Sequence, residues 1–259
     1  MDLGIAGRKA IVCASSKGLG RACAEHLAQA GCEVVINGRN RDALEATAAE
    51  LRQATGGKIT AVAGDVATPD GQKALFAACP EPDILVNNNS GPPFRDFREL
   101  TRQQILDGVV ANMAVAIELT QKAIDPMIRR KFGRIVNITS GTVKMPIAGL
   151  DLSSGARAGL TAFMAGIARS VAPSNVTINF ILPGAFDTDR LRSNIKANAD
   201  KAGVSYEAGR QARMNSVPAK RFGEASEFGA ACAFLCSAHA GYITGQNLLI
   251  DGGAYPGTF

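Results

Sequence analysis

Two glycines and a run of small polar residues follow the first apolar segment of the chain. The positions concerned are Ser15, Ser16, Lys17, Gly18, Leu19 and Gly20. Glycine lets a backbone approach a ligand closely, and the helical pattern that follows offers free N–H groups at the positive end of its dipole. The loop therefore predicts a binding site for the phosphates of a nucleotide, although a plain tight turn would use the same residues.

The second strand-like segment ends beside a cation instead of an acid. A site for NAD usually has a carboxylate at this position to bind the adenosine ribose, but this chain has Gly38 and Arg39 there. Arg39, with Lys17 across the predicted site, would attract a 2′-phosphate instead. The residues thus favour NADP(H) over NAD(H), the alternative being that both cations are only solvated.

Strand-like runs and helical patterns alternate along the whole chain. The predicted strands are Lys9–Ala14, Glu33–Asn37, Ile59–Ala63, Ile84–Asn87, Arg134–Thr139, Thr177–Leu182 and Asn247–Ile250. Such alternation predicts an α/β fold, namely a single doubly wound Rossmann domain over residues 1–259. Its parallel sheet of about seven strands should carry helices on both faces.

The segment at about 187–216 breaks this alternation just after a predicted strand end. Because ligands bind beyond the carboxyl ends of such strands, the segment is interpreted as a substrate lid. From Thr188 to Arg221 eight basic residues stand against three acidic ones, an excess equal to the net charge of +5 of the whole chain. An anionic substrate would suit this charge, and so would simple solvation or attraction to cofactor phosphates.

Composition argues against several other classes of protein. No apolar run reaches the roughly 18 residues that a membrane span needs, and Met1–Lys9 lacks the apolar centre of a signal peptide. Six cysteines and two histidines show no metal-ligand spacing. No nucleic-acid motif accompanies the basic residues. We expect a cytoplasmic protein without a metal, a membrane or a nucleic-acid partner.

Further motifs follow the other predicted strands, and together they resemble the short-chain dehydrogenase/reductase family over about residues 5–255. They are Asp65-Val66, Asn87-Asn88-Asn89-Ser90-Gly91 and Pro183-Gly184-Ala185-Phe186-Asp187-Thr188. The resemblance implies contacts to adenine from Asp65 and Val66. It implies that Asn88 and Gly91 line the cofactor site, and that Pro183, Gly184, Phe186 and Thr188 surround the nicotinamide.

One position of the phosphate loop departs from the family pattern. Ala14 stands where the family usually has its first glycine. We expect the turn to accept the added methyl group at a negative φ.

The resemblance also implies hydride exchange between a nicotinamide and a carbonyl or alcohol. Asn112 corresponds to the residue that holds a relay water, and Ser140 to the one that binds the substrate oxygen. The family then has a Tyr thirteen residues after the Ser and a Lys four residues further. Ser153 and Arg157 stand there instead, so the proton-transfer part of the site is rewritten.

Arg157 could bind the nicotinamide ribose and place a positive charge beside the reacting oxygen, but it does not readily release a proton. Ser153 is a far weaker acid than a phenol and is shorter, so a water held by Ser153 and Ser140 could fill the gap. Asp151 could act as a base through water or could be an ordinary residue at the helix start. Tyr206, in the predicted lid, is a further candidate.

These residues favour an NADP(H)-dependent oxidoreductase of carbonyls or alcohols with an atypical acid/base site. A substrate of the 3-oxoacyl-carrier type or another anion would suit the lid. A non-catalytic NADP(H)-binding sensor or structural subunit is the alternative. The family resemblance also implies a dimer or tetramer formed through helices at about Arg102–Arg130 and Ser153–Ala172.

Overall fold

One parallel sheet of seven strands forms the centre of the protein in the computed structural model, which describes residues 2–258. The strands are β1 (Lys9–Val12), β2 (Glu33–Gly38), β3 (Ile59–Ala63), β4 (Ile84–Asn87), β5 (Gly133–Ile138), β6 (Val176–Pro183) and β7 (Asn247–Ile250). Their order, β3-β2-β1-β4-β5-β6-β7, changes direction between β1 and β4. The predicted doubly wound fold is confirmed, and a crevice is expected above that point.

Helices cover both faces of the sheet. They are α1 (Gly18–Gln29), α2 (Arg41–Thr55), α3 (Pro69–Ala78), α4 (Arg102–Val109), α5 (Val115–Arg130), α6 (Asp151–Val171), α7 (Asp189–Ala202), α8 (Tyr206–Asn215) and α9 (Ala225–Cys236). Successive strand side chains point to opposite faces, so Val12 packs with α1, α2 and α9 whereas Ile11 packs with α3, α5 and α6. Two apolar layers therefore fix the sheet between its helices.

The long helix predicted at 102–130 is interrupted. A π-helical turn, Val110–Ala114, separates α4 from α5. Such a turn widens the helix by one residue and is frequent at functional sites. It contains Asn112, one of the predicted catalytic residues.

The segment predicted as a lid contains α7 and α8. Thr188 caps α7 and Ser205 caps α8 through their hydroxyl oxygens, which accept from the backbone N–H groups of Leu191 and Ala208. Tyr206 packs against a separate apolar cluster that includes Ile195. Its ring is therefore used in the packing of this segment.

Neither membrane nor metal features are found in the described part of the chain. No helix within residues 2–258 combines the length and the apolar character required to cross a bilayer. No cluster of His, Cys, Asp or Glu in the same range is arranged to hold a metal ion.

Candidate active site

A cavity of about 600 Å³ lies at the carboxyl ends of the strands. We call it the site cavity. Its lining brings together most of the predicted residues: Lys17, Gly18, Leu19, Gly20, Asn88, Ser140, Ser153, Arg157, Pro183, Gly184, Phe186 and Thr188. The predicted phosphate-binding loop before α1, which we call the nucleotide loop, and the candidate catalytic side chains thus line the same cavity.

Other predicted residues lie outside the lining of the site cavity. Ser15 is fully buried, and its hydroxyl donates to Val12 O at 2.7 Å and accepts from Asn37 N at 3.0 Å. Val66 is buried in the apolar layer, and Asp65 Oδ1 accepts from Ala67 N at 2.9 Å. The side chain of Ser15 is therefore committed to holding the turn.

Ser16 lies against Gly38 at the end of β2, and Arg39 is the next residue. A Cβ placed on Gly38 would be 3.2 Å from Ser16 Oγ, so the side chain of Ser16 packs closely against the Gly38 backbone. Arg39 is exposed and forms no ion pair with any residue of the range 2–258. A hydroxyl and an unpaired guanidinium are thereby available together at this rim.

The expectation for Ala14 was wrong. Its φ is +44°, in the left-handed region that favours glycine. Two side chains hold it there, because Asn88 Nδ2 donates to Ala14 O at 3.1 Å and Ala14 N donates to Asn37 Oδ1 at 3.4 Å. The strain is imposed by contacts from two other strands.

Ala14→Gly should stabilise the protein by about 0.5–1 kcal/mol. Relief of the left-handed strain, about 1–2 kcal/mol, exceeds the entropy that the glycine adds to the unfolded chain. Thermal unfolding should then shift upwards by about 2 °C. Ala46→Gly on the exposed side of α2 is the control and should destabilise by about 1 kcal/mol. A loss of stability in Ala14→Gly would contradict this account.

Ser153 and Arg157 contact each other within the first turns of α6. They are only 6% and 8% exposed, and Arg157 Nε donates to Ser153 Oγ at 3.2 Å. Arg157 Nη1 also donates to Ile138 O at 2.8 Å. The guanidinium is thus fixed between the end of β5 and the Ser153 hydroxyl, which keeps its own hydrogen to donate.

Burial, together with a smaller effect of the positive charge of Arg190, lowers the pKa of Arg157 to about 10. Arg190, at the start of α7, also lines the site cavity. It was not among the predicted site residues, although it stands two positions after Thr188 in the basic segment. Its position close to Thr188, together with its positive charge, could have indicated that Arg190 lies at the site.

The Ser140 hydroxyl lies at the end of β5. Its Oγ is 3.2 Å from Thr142 N, from which it accepts, and 3.0 Å from Thr142 Oγ1. These contacts orient the hydroxyl at the edge of the site cavity. Ser140 therefore offers a polar contact to a ligand oxygen.

Asn112 borders a second, smaller cavity of about 20 Å³ behind Arg157. Asn112 Nδ2 donates to Gly108 O at 3.1 Å, whereas its Oδ1 is buried without a protein partner, as is Asn87 Oδ1. This volume holds about one water, and the two amide oxygens would accept hydrogen bonds from it. Asn112 is therefore placed to support Arg157 through water.

Asp151, a candidate base, and Lys17, a predicted phosphate ligand, each contact another residue at the start of a helix. Asp151 Oδ2 accepts from Gly149 N at 3.0 Å and does not line the site cavity, as expected of a residue at a helix start. Lys17 Nζ lies 3.5 Å from Asp189 Oδ2 on α7 in an exposed ion pair. That pair is weak, so Lys17 remains available to a phosphate.

Cys13, just before the phosphate loop, is not a candidate nucleophile. It is fully buried, and burial raises the pKa of its thiol to about 12. The thiol is therefore protonated and inert at neutral pH.

Comparisons with known proteins agree with this architecture. Residues 13–255 match the family described as enoyl-(acyl carrier protein) reductase. The chain is 31% identical over 252 residues to the NADPH-dependent reductase BacG of Bacillus subtilis, covering 95% of this chain and 97% of that protein. It is 30% identical over 259 residues to the 3-oxoacyl-[acyl-carrier-protein] reductase FabG of Aquifex aeolicus, covering 98% and 100%.

A solved structure shows the same fold with its ligands. The L-sorbose reductase from Gluconobacter frateurii, complexed with NADPH and L-sorbose, superposes with a TM-score of 0.93 at 29% identity. The match covers 99% of this chain and 100% of that one. The chain therefore belongs to the short-chain dehydrogenase/reductase family of oxidoreductases and is similar to its 3-oxoacyl-[acyl-carrier-protein] reductases.

Proposed function

We propose that the protein is an NADP(H)-dependent oxidoreductase that interconverts a carbonyl and an alcohol. One observation carries the proposal: Ser140, Ser153 and Arg157 line the same cavity as the nucleotide loop. The relatives named as NADPH-dependent or bound to NADPH support the choice of cofactor. The test is oxidation of NADPH by the purified protein in the presence of a panel of carbonyl compounds.

The nucleotide loop fits a pyrophosphate. Lys17 precedes α1 without a side-chain cap, so the first N–H groups of the helix remain available. Gly18 has a φ of +59°, and a Cβ on Gly20 would be 2.5 Å from Ala14 O. Space and donors for an anion therefore coincide at the positive end of the helix dipole.

The 2′-phosphate is assigned to Ser16 and Arg39. Arg39→Asp should weaken NADPH binding by about 10- to 100-fold, because a charge-assisted hydrogen bond is lost and a repulsive charge is added. NADH binding should change little or improve, and the dissociation constants of both cofactors by fluorescence titration give the ratio. Lys58→Asp, just before β3 at the amino ends of the strands and therefore away from the predicted cofactor site, is the control. Equal affinity of the wild type for NADPH and NADH would contradict the assignment.

NADPH, held by the loop before α1 and by Ser16 and Arg39, would supply a hydride for the carbonyl carbon when bound. The Ser140 and Ser153 hydroxyls donate to the substrate oxygen, and Arg157 stabilises the negative charge that develops there. The proton passes from Ser153 Oγ to that oxygen, through a water where the substrate oxygen lies beyond the reach of the shorter serine. A water of the site cavity then returns a proton to Ser153 Oγ and leaves as hydroxide, while Arg157 keeps its own proton and stabilises the serine oxygen through Nε–H. The small cavity bordered by Asn112 would hold the water that supports Arg157.

This role of Arg157 predicts the pH dependence of carbonyl reduction. The positive charge of the guanidinium stabilises the developing oxyanion, so the turnover number should be constant near neutrality and fall as this charge is lost with a rise in pH through about 10. Arg157→Lys should move this fall to lower pH, because an ammonium begins from a lower pKa and burial lowers it again. Steady-state rates across the alkaline range measure it, with circular dichroism to exclude unfolding. An unshifted profile in Arg157→Lys would show that the charge at position 157 does not set the alkaline limit.

A non-catalytic NADP(H)-binding sensor or structural subunit is the second candidate. The observation in its favour is that no tyrosine is among the residues lining the site cavity, since Tyr206 packs within its own cluster. It predicts NADPH binding without turnover on any carbonyl or alcohol. Kinetics on the panel therefore separate the two candidates.

Self-association through α4, α5 and α6 is also proposed. Ile105, Leu106 and Phe163 expose 43%, 46% and 48% of their surface, an apolar area that a second copy would cover. Leu119 and Met164, on the same helices, are instead buried in the core. Sedimentation equilibrium of the wild type measures the resulting dimer or tetramer.

A further inference from the structure

Arg157 is a buried cation without a carboxylate partner. Its Nε and Nη1 donate to Ser153 Oγ and Ile138 O, which are neutral acceptors, and its Nη2 donates to no residue in the range 2–258. Buried charges in proteins are normally paired, because desolvation is costly. The charge of this guanidinium is therefore left for a ligand to neutralise.

Arg190 is a second cation at the same cavity. Its guanidinium lies over the loop after β4, where Nη2 is 3.4 Å from Pro92 O and would be 2.9 Å from a Cβ on Gly91. It forms no ion pair with any described residue, and its charge acts on Arg157 strongly enough to lower the pKa of that side chain. Two unpaired cations, one buried and one on α7, thus border one space.

The neighbouring cations already have acidic partners. Arg192, also on α7 and lining the same cavity, lies 2.8 Å from Asp187 and 3.6 Å from Asp189. Lys17 lies 3.5 Å from Asp189 as well. The acids of this segment therefore serve Arg192 and Lys17, which leaves Arg157 and Arg190 for a bound anion.

The cofactor does not supply that anion at Arg157. Its pyrophosphate is expected at the start of α1, and a ribose hydroxyl that binds Arg157 is neutral. An acyl-carrier thioester is neutral at its reacting end and bears its phosphate at the far end of a long arm. A carboxylate close to the reacting carbonyl, in contrast, matches the charge and the fork of donors of a guanidinium.

We propose that the substrate is a small oxo acid whose carboxylate binds between Arg157 and Arg190 while its carbonyl faces Ser140 and Ser153. This inference rests on the proposed oxidoreductase function. It assigns Arg190 as a specificity-determining residue. The carboxylate lies one or two carbons from the carbonyl, because Arg157 and Ser153 are in direct contact.

The test compares 2-oxo and 3-oxo acids of increasing chain length, beginning with pyruvate and acetoacetate, with their methyl esters. Each ester keeps the carbonyl and removes the charge. For the best acid, the wild-type kcat/KM should exceed that of its ester by about 100-fold or more, the value of a strong charged hydrogen bond. Arg190→Gln should reduce this ratio by about 10-fold or more, mainly through KM. Arg192→Gln is the matched control, because Arg192 is already paired.

Outcomes of the test separate the inference from the function. Reduction of acids and esters at equal rates would overturn the oxo-acid proposal and leave the oxidoreductase standing. Where NADPH binds but no compound is reduced, calorimetric titration of the NADPH complex with the same acids and esters decides the matter. Binding of an acid but not its ester, weakened by Arg190→Gln, supports the proposal, and absence of that difference overturns it.

Discussion

Arg157→Met should lower the turnover number for carbonyl reduction by about 10²- to 10³-fold, the typical effect of removing one donor to a developing oxyanion. The guanidinium would stabilise that charge directly and through Ser153 Oγ at 3.2 Å, and methionine offers neither contact. The methionine fills most of the same volume. The loss should therefore appear in the chemical step and not in packing.

The stability of this variant should stay close to that of the wild type. A buried cation without a counter-ion is unfavourable, as the lowered pKa of Arg157 indicates, so its removal offsets the lost hydrogen bond to Ile138 O. Thermal unfolding and the NADPH dissociation constant, measured beside the turnover number, separate a catalytic effect from a structural one. If Arg157→Met unfolds at the assay temperature, lost packing and not lost stabilisation of the oxyanion is the cause of the lower turnover number.

Two adjacent serines provide a matched comparison on the same helix. Both are buried, but only Ser153 lines the site cavity. The hydroxyl of Ser154 donates to Leu150 O at a distance of 2.9 Å, outside that cavity. Ser153→Ala should lower the turnover number by about 10²-fold through loss of general acid catalysis. Ser154→Ala should leave it within a small factor of the wild type. Equal effects of both changes would remove Ser153 from the mechanism.

The alternation of apolar and helical patterns was sufficient to predict the sheet. The bounds of β3, β4 and β7 are those expected from the residues, and β1 ends two residues early, at Val12, because the phosphate turn begins there. Glycines and polar residues likewise predicted that the segments after β1, β4, β5 and β6 line the site cavity, whereas the predicted residues after β2 and β3 lie outside its lining. These are local signals, since each lies within one strand and the turn that follows it.

Features set by distant contacts could not be predicted. Ala14 has a positive φ because Asn88, 74 positions away, holds its carbonyl, and no property of alanine indicates this. The π-helical turn at Val110–Ala114 has no sequence signal in an otherwise regular pattern. Arg190 acts on Arg157 only because α7 folds back over the loop after β4. Each is a property of the folded chain.

The contacts of Ser153 and Arg157 in the folded chain also change the interpretation of these two residues. Compared with the Tyr and Lys of the family, their residue types alone indicate a loss of the proton donor. In the structure Arg157 donates a hydrogen bond to Ser153. The planar guanidinium of Arg157 also offers a fork of donors that the ammonium group of a lysine lacks. The proposed oxo-acid substrate would therefore explain the pair as a change in substrate preference and not as loss of catalysis alone.

Gly20→Ala should abolish NADPH binding at ordinary concentrations, a weakening of about 100-fold or more. The new Cβ would be 2.5 Å from Ala14 O and 2.9 Å from Asn88 Nδ2, two atoms that are hydrogen-bonded to each other. The methyl group must separate them or displace the start of α1, and a misplacement of about 1 Å at a binding site can cost 100-fold. Overpacking should also destabilise the fold by about 1–3 kcal/mol.

Gly166→Ala is the matched control for this change. Nothing lies within 4 Å of a Cβ at Gly166, which is exposed on α6, so the helix should gain about 0.5–1 kcal/mol and cofactor binding should not change. Fluorescence titration with NADPH, at a temperature where both variants are folded by circular dichroism, gives the comparison. Wild-type affinity in folded Gly20→Ala would mean that the pyrophosphate does not bind at this turn, because the displaced helix start could not then be part of its site.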